Sequence, residues 1–324
     1  MPVIVKTNLP SMTVQQNLNS ATSSLNKAVE RMTTGYKINH AVDNAAGYSI
    51  SDIWQTKLGS VDIASQNTTM GLDLLRTAED NYALITTHLQ RIRDLTEQAA
   101  NGTYGLDSLE TIRDEIKARL EEISRVATNA EYNEIKLMST GSAAVNLQVG
   151  IKEGDVISMA ATLFADATLN GLYSSTAAPG TTFRNIIKAA NNGTAVANLN
   201  TETGYTATAA AFAGIKLTAS GTYEKQTDSG KTARDTLEYI DYAIQMISTR
   251  VTKLGAAQNR LQSVMETLTT QSNNITSSLS TIKDTDVAQE SSNYIQAQIL
   301  QQASATLLAT ANQAPSIAIS LIEN

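Results

Sequence analysis

Apolar residues make up 42% of the 324-residue chain, but aromatics are only 5% and tryptophan occurs once. The apolar content is therefore Leu, Ile, Val and Ala, which suits helix seams better than a thick globular core. Lys plus Arg is 24 against Asp plus Glu 31, a formal charge of −7 that makes a poor nucleic-acid binder. The absence of cysteine excludes thiolate catalysis, disulfides and Cys-based zinc sites.

The N-terminal Met-Pro-Val-Ile-Val-Lys turns polar at once, so a cleaved signal peptide is not expected, and no stretch approaches the roughly 20 apolar residues of a membrane span. Prolines sit only at Pro2, Pro10, Pro179 and Pro315, leaving long tracts in which helices can run unbroken.

In chain order, Val14, Leu18, Ala21, Leu25, Ala28 and Met32 follow a 3-4 alternation. A longer seam comprises Val61, Ala64, Thr68, Gly71, Leu75, Ala78, Tyr82, Ile85, Leu89, Ile92, Thr96 and Ala99, and Asn101-Gly102 ends that helix. Leu109, Ile112, Ile116, Leu120, Ile123 and Ala127 define one face of the next. From 137 to 159 the period changes to two, around Val145–Val149 and Val156–Met159, predicting a β-hairpin. Residues 173–229 are rich in Ala, Thr, Gly and Asn and read as a small inserted α+β domain with a short helix near 183–190.

From Leu237 through Ile247, Leu254, Leu261 and Leu268 to Ile282 the 3-4 alternation holds for about six heptads, or about 70 Å of helix. A 324-residue globule is only about 50 Å across, so an elongated bundle of long antiparallel coiled-coil-like helices is expected, mainly α. The bundle seam is assigned to Leu75, Tyr82, Leu89, Ile247, Leu254, Leu261 and Leu268.

The two ends share an unusual trait. Ala297, Leu300, Ser304, Leu307, Ala311 and Ala314 form a seam, yet from Val287 to Asn324 the only charges are Glu290 and Glu323. Solvated helices carry Lys and Glu pairs, whereas a neutral polar face suits a helix packed on every side. In a symmetric assembly Gln, Ser and Asn also avoid like-charged columns. The self-assembly seam is therefore Val14, Leu18, Leu25, Met32, Leu300, Leu307 and Ala311, on helices expected to order on self-association.

Enzyme signatures are missing: there is no P-loop, no G-x-S-x-G and no H-E-x-x-H. His40 and His88 share no local motif, and Asp284-x-Asp286 reads as a helix start rather than a calcium loop. No catalytic, metal or cofactor residue is assigned. Asn101-Gly102-Thr103 and Asn192-Gly193-Thr194 match a glycosylation triplet.

Family-like motifs lie at both ends. They include Glu30-Arg31-Met32-Thr33-Thr34-Gly35, Asp43-Asn44-Ala45-Ala46-Gly47, Leu89-Gln90-Arg91-Ile92-Arg93-Asp94-Leu95 and Arg119-Leu120-Glu121-Glu122-Ile123. Near the C-terminus come Leu254-Gly255-Ala256-Ala257-Gln258-Asn259-Arg260-Leu261 and Ala311-Asn312-Gln313-Ala314-Pro315. On these the chain resembles bacterial flagellin over about 1–172 and 230–324. Asn44 stands where the family usually has a second Asp, and Met70 where an acidic residue precedes the glycine.

The resemblance implies three layers: 1–43 with 284–324 as the inner filament core, 44–172 with 230–283 as the outer-core bundle with its hairpin, and 173–229 as a variable surface domain. It implies a non-enzymatic subunit without cofactor, exported through the flagellar type III channel and polymerised into an extracellular filament for motility. Its partners would be itself, an export chaperone and the filament cap, with no nucleic acid and no membrane insertion. Some members carry a metalloprotease in the variable region, but residues 173–229 here contain no histidine. A hook–filament junction protein is the alternative. By the same resemblance Arg91, Leu95 and Glu115 match positions read by the flagellin-sensing Toll-like receptor.

Overall fold

A computed structural model describes residues 8–139, 144–173, 190–191, 194, 198–218, 222–225 and 229–322. Helices α1 (Leu9–Thr34), α2 (Ala45–Ala99) and α3 (Leu106–Asn129) precede strands β1 (Glu131–Tyr132), β2 (Ile135–Lys136), β3 (Val145–Gln148) and β4 (Val156–Met159). Helices α4 (Leu169–Tyr173) and α5 (Glu202–Phe212), strands β5 (Ile215–Leu217) and β6 (Tyr223–Lys225), and helices α6 (Ser229–Lys283) and α7 (Val287–Ile322) follow. The chain is mainly helical, and the strands among the described residues form three antiparallel pairs. It divides into two compact units, Ile63–Thr269 and Met1–Asp62 with Thr270–Asn324.

Within 63–269, α2 and α6 run antiparallel. Ser65 Oγ donates to Met265 Sδ at 3.1 Å, Gln258 Nε2 to Glu79 Oε2 at 2.7 Å, and Arg93 Nε to Asp241 Oδ1 at 2.7 Å. Leu75, Tyr82, Leu89, Ile247, Leu254, Leu261 and Leu268 are all buried. Leu109, Ile116, Leu120 and Ile123 of α3 enter the same core. Each fully buried Leu or Ile contributes about 1.5–3 kcal/mol, so the unit rests on this apolar stripe.

β3 and β4 pair from Val145↔Met159 to Gln148↔Val156, as their period of two requires. The hairpin lies against α2: Asn67 Nδ2 donates to Gln148 O at 3.1 Å, and a Cβ on Gly71 would collide with Leu147. Between β1 and β2, Asn133 and Glu134 both take positive φ, 47° and 67°, the backbone a two-residue hairpin turn needs. No glycine marks that turn.

Helix α5 is bound to α3. Ala207 and the run Ala209–Phe212 are buried, the Glu202 carboxylate pairs with Lys117, and the Arg113 guanidinium lies 3.9 Å from the Tyr223 ring centroid. The described residues between 198 and 225 thus join the bundle core and fall in the same compact unit. The helix expected near 183–190 lies outside the described residues except for Ala190.

Candidate functional site

The terminal helices pair from Asn8 to Arg31 on one and from Asn312 to Glu290 on the other. Asn8 Nδ2 donates to Ala311 O at 2.8 Å, Ser11 Oγ to Asn312 Oδ1 at 2.7 Å, and Gln301 Nε2 to Thr22 Oγ1 at 3.1 Å. Farther along, Glu290 lies 3.7 Å from Arg31, so α1 and α7 are antiparallel. Asn8 caps α1 by accepting from Ser11 N at 3.1 Å, and Asp286 caps α7 by accepting from Ala288 N at 2.9 Å.

Small residues make the contact: Ala21, Ala28, Ala297 and Ser304 are buried. Val14, Leu18, Leu25 and Ala311 flank it, half-buried. Met32, Leu300 and Leu307 stay 37%, 51% and 56% exposed. Leu300 and Leu307 instead border a groove of about 680 Å³ along the pair. Ile295 and Ile299, on the side of α7 away from Ala297, are also exposed. Helix α7 is apolar on several sides, carries one charge, and among the described residues pairs with α1.

The two links into these helices bind each other. Gly35 ends α1 at φ 75° with its N–H on Arg31 O, and Tyr36 bridges Asp284 in antiparallel fashion. Lys37 N donates to Lys283 O at 2.7 Å and Thr285 N to Gly35 O at 2.9 Å. The Lys37 ammonium reaches Thr281 O, and that of Lys283 lies 4.5 Å from the Tyr36 ring centroid.

Beyond the bridge, Asp43 closes the loop. Its carboxylate takes Lys27 Nζ at 2.6 Å and the N–H groups of Asn39 and His40. The Lys27 hydrogen bond, helped by those N–H donors, holds Asp43 down at about 2 against the burial that opposes it. Asn44 then caps α2, accepting from Gly47 N at 3.0 Å, a task that Asn and Asp perform equally well.

On the bundle surface Arg91 Nε donates to Glu115 Oε1 at 2.9 Å, and Arg119 approaches the same carboxylate at 3.6 Å. The hydrogen bond to Glu115 raises the Arg91 pKa. Burial, then Arg119, lowers that of His88. Leu95 is only 2% exposed and belongs to the core. The structure therefore brings Arg91 and Glu115 together at the surface, while Leu95 is buried and not presented there.

One buried arrangement was missing from the sequence reading. Tyr82 Oη donates to Leu163 O at 3.0 Å, and Arg250 Nη1 donates to Ala165 O and Asp166 O, each at 3.1 Å. Tyr82 was assigned to the seam as an apolar residue, and an arginine on a seam flank gives no sequence signal. Among the described residues no group of three or more His, Asp or Glu could hold a metal ion, and no helix is long and apolar enough to cross a membrane.

Comparison with known proteins supplies the family of this long-helix chain. The model of the bacterial flagellin N-terminal helical region matches residues 5–143, and that of the C-terminal helical region matches 237–322. Flagellin D of Vibrio cholerae serotype O1 is 30% identical over 376 aligned positions, covering 99% of this chain and all of the relative. Flagellin D of Vibrio anguillarum is 29% identical with the same coverage.

Among solved structures, a putative flagellar hook-associated protein from Vibrio parahaemolyticus shares the fold at a TM-score of 0.55 and 12% identity, covering 74% of this chain and 99% of that one. The chain belongs to the bacterial flagellin family. It is a non-enzymatic structural subunit of the flagellar filament, which lies outside the cell.

Proposed function

We propose that the filament grows by lateral packing of the α1–α7 pairs of successive copies, each pair completing its apolar surface only against its neighbours. The observation that carries this reading is α7 itself: a long helix with one charge, and with Ile295, Ile299, Leu300 and Leu307 exposed although it is paired with α1. A helix apolar on several sides is stable when surrounded. The seam of Val14, Leu18, Leu25, Met32, Leu300, Leu307 and Ala311 is the assembly surface. Residues 1–43 with 284–324 form the inner layer, 44–172 with 230–283 the outer bundle, and 173–229 the outward face.

Export through the flagellar type III channel, with a chaperone in the cell and a cap at the growing tip, completes the proposal by family resemblance. The surface pair of Arg91 and Glu115, with the buried Leu95 one helical turn on from Arg91, is the candidate contact for the flagellin-sensing receptor. A reporter-cell response that Arg91→Ala leaves unchanged would remove that assignment.

The direct test is electron microscopy of the purified full chain added to short filament seeds, beside a chain truncated after Ile282. Long tubes from the full chain alone support the proposal. Tubes from both overturn the role of α7, and tubes from neither favour the hook–filament junction alternative.

A further inference from the structure

In a chain without cysteine, the methionine thioether is the side chain most readily oxidised by peroxide. The described methionines fall into three groups by exposure. Met138 and Met159 are enclosed at 0% and 2% exposure. Met265 and Met246 are half-buried, and their sulfurs accept hydrogen bonds from Ser65 Oγ at 3.1 Å and Arg250 Nη2 at 3.2 Å. Each donor engages one of the two lone pairs on its sulfur. Met12, Met70 and Met32 are 65%, 51% and 37% exposed.

Among the described residues, two of the three exposed methionines lie on α1. Met32 follows Ala28 by four residues and continues the face that meets α7, and Met12 lies on the opposite side, nine residues before Ala21. We infer that Met12 and Met32 are peroxide-sensitive sites, and that their oxidation to sulfoxide arrests filament growth. The second half of this inference rests on the proposed packing of α1–α7 pairs.

The chemistry is complete with hydrogen peroxide alone. A sulfur lone pair attacks one peroxide oxygen, the S–O bond forms as the O–O bond breaks, and the second oxygen leaves as water after proton transfer. Sulfur loses two electrons and the peroxide gains them. The product carries a polar S=O group, which is costly in a helix interface unless a donor meets it.

The test treats the purified full chain with hydrogen peroxide, quenches it, and reads both peptide masses and seeded elongation. Sulfoxide is expected first at Met12, Met32 and Met70, with Met138 and Met159 lagging. Elongation of the wild-type chain should slow roughly tenfold relative to its own untreated rate. A Met12→Leu/Met32→Leu chain should keep its own untreated rate under the same peroxide, while Met70→Leu remains as sensitive as wild type. Methionine sulfoxide reductase should restore growth.

The inference is overturned if the double variant slows as much as wild type, if Met70→Leu alone protects, or if Met12 and Met32 oxidise no faster than Met138. Untreated chain that never extends a seed would instead sink the packing proposal, and with it the arrest of growth. The order of oxidation would still decide whether the sites are sensitive.

Discussion

The Glu290 carboxylate, 6% exposed as a residue, faces the Arg31 guanidinium at 3.7 Å and is the only charge on α7. The surrounding contact repeats small residues seven apart, Ala21 with Ala28 and Ala297 with Ser304, so a one-heptad slip would set small against small again. The ion pair breaks that degeneracy, the best-attested use of a buried charge between helices. Glu290→Ala, which leaves Arg31 without its partner, should weaken the terminal pair by about 1–3 kcal/mol. The exchanged pair Arg31→Glu/Glu290→Arg should recover much of that, both read by thermal unfolding of the helical signal.

The clamp on residues 163–166 predicts a graded loss. Tyr82→Phe removes one hydrogen bond to a carbonyl and should cost about 1 kcal/mol in urea unfolding. Arg250→Ala strips donors from two carbonyls at once and should cost about 2–4 kcal/mol. Equal losses would mean that the arginine serves only as packing.

Two glycines of α2 should respond with opposite signs. Nothing lies within 4 Å of a Cβ built on Gly59, so Gly59→Ala should stabilise by about 0.5–1 kcal/mol. At Gly71 the same methyl would strike Leu147 and come within 3.3 Å of Leu261 Cδ1. Gly71→Ala should therefore destabilise despite the helix preference. Chemical denaturation of the two variants side by side settles the pair.

Acid should loosen the loop before α2. The folded Asp43 pKa, at about 2, lies below the ordinary 3.8. Its ionised form is thus favoured by folding, and the stabilisation is present above about 4 and lost as pH falls toward 2. The contribution is about 1 kcal/mol after allowance for the half-exposed Lys27. Lys27→Ala should return the Asp43 titration toward 3.8, as a carboxyl NMR titration would record.

The helix seams were legible because apolar spacing reports burial directly, and the Val145–Gln148 hairpin because its period is two. The Asn133-Glu134 turn was not, since left-handed backbone at non-glycine residues has no strong sequence mark. On α7 the apolar pattern is too broad to select one phase. Ala297 and Ser304 meet α1 because Ala21 and Ala28 admit close approach, while Leu300 and Leu307 are left at the groove. The neutral character of the terminal helices was plain from composition, but the Tyr36–Asp284 bridge joins residues far apart in the chain and has no local signal.

That bridge also has a consequence in polymer terms. With Lys37 N bound to Lys283 O, everything between them is a loop closed at its base. The entropy of closing such a loop grows only with the logarithm of its length, by about 0.6 kcal/mol per doubling. Segments can therefore be gained or lost inside it at little cost to the closure, and the 376-position alignments over a 324-residue chain show relatives carrying residues absent here. The knot of hydrogen bonds at residues 35–37 and 283–285 makes the length of the middle nearly a free variable.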